Sequence, residues 1–259
     1  MRGLSLVFYG SEGIGKTSLA LQFANIGELL CLSVKESGFD HLSELPGIIP
    51  KNCTNVNIES WEDLVQQTAK AKCVLVIDSL SGLQQLLFDY VCRTAYNNKW
   101  EDFTAYFKGQ RTDSPRILAK YLEILDHLNM KGIHVILLGH MVTTTEPNTL
   151  GADFLTHTID MDQGDKGGLR SLITKWAQAI LYMNISVDIT RATEVNKQKV
   201  VMEGKAKDDD NRLIYTSKAP GHAAKNRMLL PAIIPMGTSP QEGFKNLWTS
   251  FPESYQNLI

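Results

Sequence analysis

Eight residues, Gly10-Ser11-Glu12-Gly13-Ile14-Gly15-Lys16-Thr17, restrict the folds open to this chain more than anything else in it. They fit G-x-x-x-x-G-K-[ST] in full, behind a strand-like apolar run at 4–9 and ahead of a helix-like run at 16–26. The glycines let successive backbone N–H groups turn inward around an anion, and the start of the helix adds partial positive charge. Such a loop cradles the phosphates of a nucleotide. Lys16 is placed to reach the β- and γ-phosphates, Thr17 to put its hydroxyl on Mg²⁺, and Ser18 to touch the α-phosphate. Ser11, Glu12 and Ile14 fill the variable positions of the cradle.

A second motif answers the first. In Val74-Leu75-Val76-Ile77-Asp78-Ser79 an acid ends a run that reads as a fully buried strand. A buried carboxylate is costly unless a cation meets it, and Mg²⁺ held through water is the expected partner of Asp78. The other reading is a helix cap, for which Ser79 is the better placed residue.

Strand-like runs at 4–9, 29–34, 73–78 and 133–139 alternate with helix-like runs at 16–26, 59–71, 79–95 and 114–130. That alternation predicts an α/β fold with a mostly parallel central sheet flanked by helices. Ser114-Pro115 reads as a cap followed by proline at the first helical position, and Gly132 as the stop. Residues 141–168 carry a threonine run, several acids and glycine and proline breaks, and read as a long loop. Runs at 178–190, 198–203 and 212–217 read as three short strands, with Asp208-Asp209-Asp210-Asn211 as a turn, so the sheet gains an antiparallel extension toward the C-terminus. Ser239-Pro240 opens a last short helix. With no repeat and no linker, residues 1–259 are expected to form one domain: a core at about 1–140, the loop at 141–168, and the extension with its helix at 169–259.

Composition narrows the partners. Lys+Arg 26 against Asp+Glu 28 gives a net charge of -2, so bulk charge cannot coat nucleic acid and any contact must be a local patch. Lys197, Lys199, Lys205, Lys207, Arg212, Lys218, Lys225 and Arg227 are the candidates, set against Glu203 and the three aspartates at 208–210; the same residues also suit a solvated ribbon face. Tyr96, Trp100, Phe103, Tyr106 and Phe107 either stack single-stranded bases or pin a helix to the core. Apolar runs such as 74–77 fall far short of the roughly 18 residues that cross a membrane. The four cysteines show neither a CxxC pair nor zinc spacing, and are expected to be reduced core thiols of a cytoplasmic protein.

With both motifs placed, the chain resembles the RecA-like P-loop ATPases, and within them the compact phage and prophage type associated with single-strand annealing and recombination. The likeness spans almost the whole chain. It is carried by residues 10–18, by Glu36 in Ser33-Val34-Lys35-Glu36-Ser37-Gly38, by residues 74–79, and by Ala224-Lys225-Asn226-Arg227-Met228-Leu229-Leu230-Pro231. The resemblance implies an ATPase using ATP and Mg²⁺, with Glu36 polarising the attacking water and His140, in Gly139-His140, sensing the γ-phosphate. It puts a DNA-contacting loop at 141–168 and implies that Lys225 and Arg227 reach the site of a neighbouring subunit, in a homo-oligomer with shared active sites. Single-stranded DNA, a single-strand-binding or recombination protein and a phage-encoded origin in the host cytoplasm follow from the same likeness. Two departures weaken parts of it. No segment precedes the first strand to link neighbours into a filament, and 141–168 is acidic, with Lys166 and Arg170 only at or beyond its end. Two other readings of the phosphate loop stay open: a nucleoside or small-molecule kinase, with Arg111 and Arg116 in a lid, or a nucleotide-gated scaffold.

Overall fold

The computed structural model describes residues 2–148, 151–164, 168–192 and 203–256. Strands without a polar face must be covered on both sides, and the sheet is built accordingly. Its parallel part comprises β1 (Ser5–Gly10), β2 (Leu29–Val34), β3 (Cys53–Ile58), β4 (Val74–Asp78) and the start of β5 (His134–Glu146). β6 (Phe154–Ile159) returns along β5, while β7 (Ala179–Ala192) runs parallel to β1 on its other side. β8 (Glu203–Tyr215), β9 (Lys225–Asn226) and β10 (Ile233–Pro235) add the antiparallel pairs. The order is β10-β8-β7-β1-β5-β4-β2-β3, a mostly parallel sheet with the expected antiparallel extension.

Helices cover both faces. They are α1 (Lys16–Leu21), α2 (Gly38–Ser43), α3 (Trp61–Thr68), α4 (Leu80–Tyr96), α5 (Trp100–Thr104), α6 (Ser114–Met130), α7 (Leu169–Trp176), α8 (Pro240–Ser250) and α9 (Glu253–Gln256). Alternation along β1 divides the core: Val7 and Tyr9 join Leu83, Leu87 and Leu125 beneath α4 and α6, whereas Leu6 and Phe8 join Leu19, Phe23 and Leu247 beneath α1 and α8. In α6 the buried residues Leu118, Tyr121, Leu122, Leu125 and Leu128 follow helical spacing. Ser60, Ser79 and Ser239 cap α3, α4 and α8 by accepting from the N–H groups of Asp63, Gly82 and Glu242. No helix among the described residues is long and apolar enough to cross a membrane.

Three sequence expectations need correction. Residues 141–168 are not a long loop: β5 runs on to Glu146 and pairs with β6 from Met141↔Ile159 to Glu146↔Phe154. Thr143, Thr144 and Thr145 are β-branched and hold the extended form. The acidic stretch at 208–211 is not a turn between two strands. β8 is one strand, and its ladder with β7 shifts register between Ile185↔Arg212 and Val187↔Asp208, leaving an irregularity where the turn was expected. Of the strand expected at 198–203, all but Glu203 lies outside the described residues. Ser114 does not cap α6, because the chain enters already wound over Gly109–Asp113; its hydroxyl donates instead to the Gly109 carbonyl at 2.8 Å. Among the aromatics, Phe103 is core, packed edge-on against Phe88, Tyr96 and Trp100, while Tyr106 and Phe107 stay exposed. All four cysteines are free; Cys31 and Cys92 are buried, Cys53 and Cys73 half-buried.

His134, at the start of β5, gives the fold an acid limit. It is 3% exposed, and its Nδ1 accepts the Leu4 N–H at 3.1 Å, which requires a neutral ring. Burial pushes its pKa from 6.5 down to about 4. Between those values the unfolded chain binds a proton that the folded chain does not, so stability falls as pH drops through the window, by about 3 kcal/mol in all. Urea unfolding at pH 7.5 and pH 4.5 should show this loss, and His134→Asn, which keeps an acceptor without a titration, should lose less. Equal losses in the two proteins would clear His134 of the effect.

Candidate active site

β1 delivers the phosphate loop to the carboxyl edge of the sheet. Gly10 has no room for a side chain, since a Cβ there would lie 2.2 Å from the Met183 carbonyl of β7. Gly13 and Gly15 take positive φ of 72° and 102°, which other residues adopt only under strain. α1 then starts at Lys16 with no side-chain cap from Gly15.

Lys16 is only 8% exposed, and its ammonium folds over the loop, donating to the carbonyls of Gly10 at 3.0 Å and Ser11 at 2.8 Å. Burial pushes its pKa down, and the carboxylates of Asp78, Glu12 and Glu36 pull it part of the way back. At the next residue, the Thr17 hydroxyl donates to Asp78 Oδ2 at 2.7 Å. Asp78 is 6% exposed. Burial raises its pKa and Glu36 adds to that, against the Thr17 bond and the charges of Lys16 and His140.

The remaining groups arrive by sheet order. β5 lies between β1 and β4, so Gly10 is level with His140, and Asp78 with Leu138 two residues earlier on the same strand. Glu36 stands two residues beyond β2, whose Ser33 is level with Asp78. Glu36 Oε1 accepts from the Ser79 hydroxyl and from His140 Nε2, both at 2.8 Å. His140 Nδ1 is buried with no hydrogen-bond partner. Ser79 thus does two jobs, capping α4 and fixing Glu36; only the first was legible from its place ahead of a helix.

Lys16, Thr17, Ser18, Glu36, Asp78 and His140 line one cleft of about 640 Å³ together with Glu12, Gly13 and Gly15 of the loop. A nucleotide's phosphates fit the loop. Thr17 and Asp78 supply two hard oxygens side by side, a set that suits Mg²⁺ taking its other ligands from phosphate and water.

The structure does not bring Lys225 and Arg227 to this cleft within one chain. β9 pairs with the start of β7, at Ala179 and Ile180, whereas the residue of β7 level with Gly10 is Met183. The Lys225 ammonium donates to the carbonyls of Thr174, Lys175 and Ala177 at the end of α7, at 2.6, 3.0 and 2.5 Å. Burial and the nearby Arg227 push its pKa down to about 8. Arg227 is exposed. Arg111, over the Phe107 ring at 4.2 Å, and Arg116, 3.6 Å from Asp113, are likewise not among the described residues lining the cleft. Of the basic ribbon, Lys197 and Lys199 lie outside the described residues, as does Lys166. Arg212, read from the sequence only as one more basic residue, sits beside the loop: its Nη1 is 3.5 Å from where a Cβ on Gly15 would stand.

The sequence family AAA_24, described as an AAA domain, matches residues 2–228. No curated protein matches the sequence. Among solved structures, the chain is similar to the KaiC-like protein PH0186 from the hyperthermophilic archaeon Pyrococcus horikoshii OT3, with 12% identity over 93% of this chain and 88% of that chain and a TM-score of 0.43.

Proposed function

The chain belongs to the AAA_24 family of AAA domains and has the build of a P-loop ATPase, and from that premise we propose that it hydrolyses ATP with Mg²⁺ to act on single-stranded DNA in phage-type recombination, annealing or repair. The observation that carries the chemistry is the meeting of Lys16, Thr17–Asp78 and Glu36–His140 on one cleft. Lys16 and the loop N–H groups hold the phosphates. Thr17 and Asp78 would hold Mg²⁺, which would supply positive charge against the charge that develops on the phosphates. Glu36 takes the proton of the attacking water. Both of its hydrogen bonds fall on Oε1, which leaves Oε2 for that water. His140 donates to Glu36 and sits on β5, which continues without a break into the β5–β6 hairpin. Changes at the γ-phosphate therefore have a short covalent route to the segment where the resemblance puts DNA.

The deciding experiment measures phosphate release from ATP alone, with single-stranded DNA, and with acceptor metabolites. Stimulation by DNA is the expected result. Dependence on an acceptor would make the chain a kinase, and indifference to both would leave a nucleotide-gated scaffold.

Assembly completes the proposal. A dissociative phosphoryl transfer leaves charge on the γ-oxygens beyond what Lys16 covers, and Arg227 is free to meet it from a neighbouring chain, with Lys225 beside it. The Lys225→Ala/Arg227→Ala double variant and Lys16→Ala should each be nearly inactive alone and recover part of the activity when mixed. Full activity of the double variant, or no recovery from variants shown to co-assemble, would overturn the shared site.

A further inference from the structure

The two ends of the sheet order are built differently. One is β10, three residues long and closed by Pro235, so it offers little to a further strand. The other is β3, Cys53-Thr54-Asn55-Val56-Asn57-Ile58. It pairs with β2 in unbroken register from Leu29↔Cys53 to Val34↔Ile58, and with no other strand among the described residues. Its six residues hold no charge, no proline and no bulge, which are the devices that stop an edge from recruiting another chain. Thr54 and Asn57 are exposed, Asn55 and Val56 half-buried.

A cleft of about 600 Å³ lies beside this edge, at the amino ends of the parallel strands. It is lined by Leu30 of β2, by Thr54 and Val56 of β3, and by three lysines: Lys51 ahead of β3, and Lys70 and Lys72 in the turn between α3 and β4. All three lysines are exposed. Glu28, the one acid among the described residues that line the cleft, is 2.7 Å from the Lys72 ammonium. Lys51 and Lys70 join no ion pair among the described residues. The cleft shares no described lining residue with the phosphate cleft.

We infer that the β3 edge and this cleft receive an extended, acidic segment of a partner protein, which joins the sheet as a further strand. An unguarded edge offers a row of backbone N–H and C=O groups, and only another polypeptide carries the matching row. Every second side chain of the added strand would face the cleft. There Leu30 and Val56 offer apolar contact, and Lys51 and Lys70 offer two ammonium groups without a carboxylate of their own. Charge thus selects an acidic strand, and the open ladder selects a peptide over a nucleic acid, which would meet the lysines but leave the edge unpaired. The inference is independent of the nucleotide chemistry, because the two clefts are separate.

The test follows, by fluorescence anisotropy, a labelled peptide of four Asp-Val repeats titrated with the full chain in the absence of nucleotide. The comparisons are a peptide of four Lys-Val repeats, the Asp-Val peptide N-methylated at every amide, and a single-stranded oligonucleotide of the same charge. The Asp-Val peptide should bind with a Kd on the order of 10–100 μM at low salt and weaken as salt rises. The other three should bind about tenfold more weakly or worse, the methylated peptide because it keeps its carboxylates and loses its ladder. Lys51→Glu/Lys70→Glu, a change at two exposed positions, should weaken the Asp-Val peptide by about tenfold at an unchanged melting temperature. Full binding of the methylated peptide would overturn the strand pairing without recourse to any variant. An oligonucleotide held as tightly as the peptide would make the cleft a polyanion site instead. No binding of the peptide by the parent would overturn the inference outright, as would a parent already dimeric through β3 and closed to the peptide.

Discussion

Lys16→Ala should lower ATP turnover by on the order of 10²–10³-fold or more and leave the protein folded. The loop has no other ammonium, and the ligand it is built for carries several phosphate charges. In the structure that ammonium is buried and donates its hydrogen bonds to the carbonyls of Gly10 and Ser11. Burial lowers its pKa, which means that the surroundings do not fully repay the lost hydration of the charge. Lys16 is therefore a liability to the empty protein and an asset to the loaded one. The variant should melt no earlier than the parent without ligand, and it should lose the rise in Tm that ATP gives the parent. Parent-like turnover by this variant would end the phosphate-loop reading.

Glu36→Gln should separate binding from chemistry. Glutamine keeps the shape and an oxygen to accept from Ser79 and His140, but cannot take a proton from water. Turnover is expected to fall by about 10²–10⁴, the usual worth of a general base, with ATP affinity close to that of the parent. Quenched-flow phosphate release and equilibrium nucleotide binding measure the two separately. Parent-like turnover would remove Glu36 from the chemistry and make His140 the next base to test; a fall in affinity alone would make Glu36 a binding group.

The parts of this site that were legible in the sequence are local or carry an unusual cost. Positive φ at Gly13 and Gly15 demands glycine, so the loop announces itself within eight residues. An acid at the end of a buried strand needs a reason, and Asp78 has one in Thr17. The links that organise Glu36 were not legible. Ser79 is 43 residues from it and His140 is 104, and they meet only because β5 and β4 lie between β1 and β2 in the sheet. Composition misled where it competed with local propensity. Glycine, proline and acids made 141–168 look like a loop, although the β-branched threonines within it extend β5. Four polar residues at 208–211 have turn chemistry, yet the ladder absorbs them as an irregularity. The ties of Lys225 to the end of α7 depend on tertiary packing alone, and nothing in its spacing from Arg227 foretells them.

The most direct test of the account is the rate of phosphate release from ATP by the parent chain as Mg²⁺ is titrated, with Lys16→Ala and a chelator as controls. Release should rise with Mg²⁺ to a plateau, vanish on chelation, and stay near background in Lys16→Ala at every concentration; release that ignores the chelator, or that never exceeds the Lys16→Ala level, would contradict it.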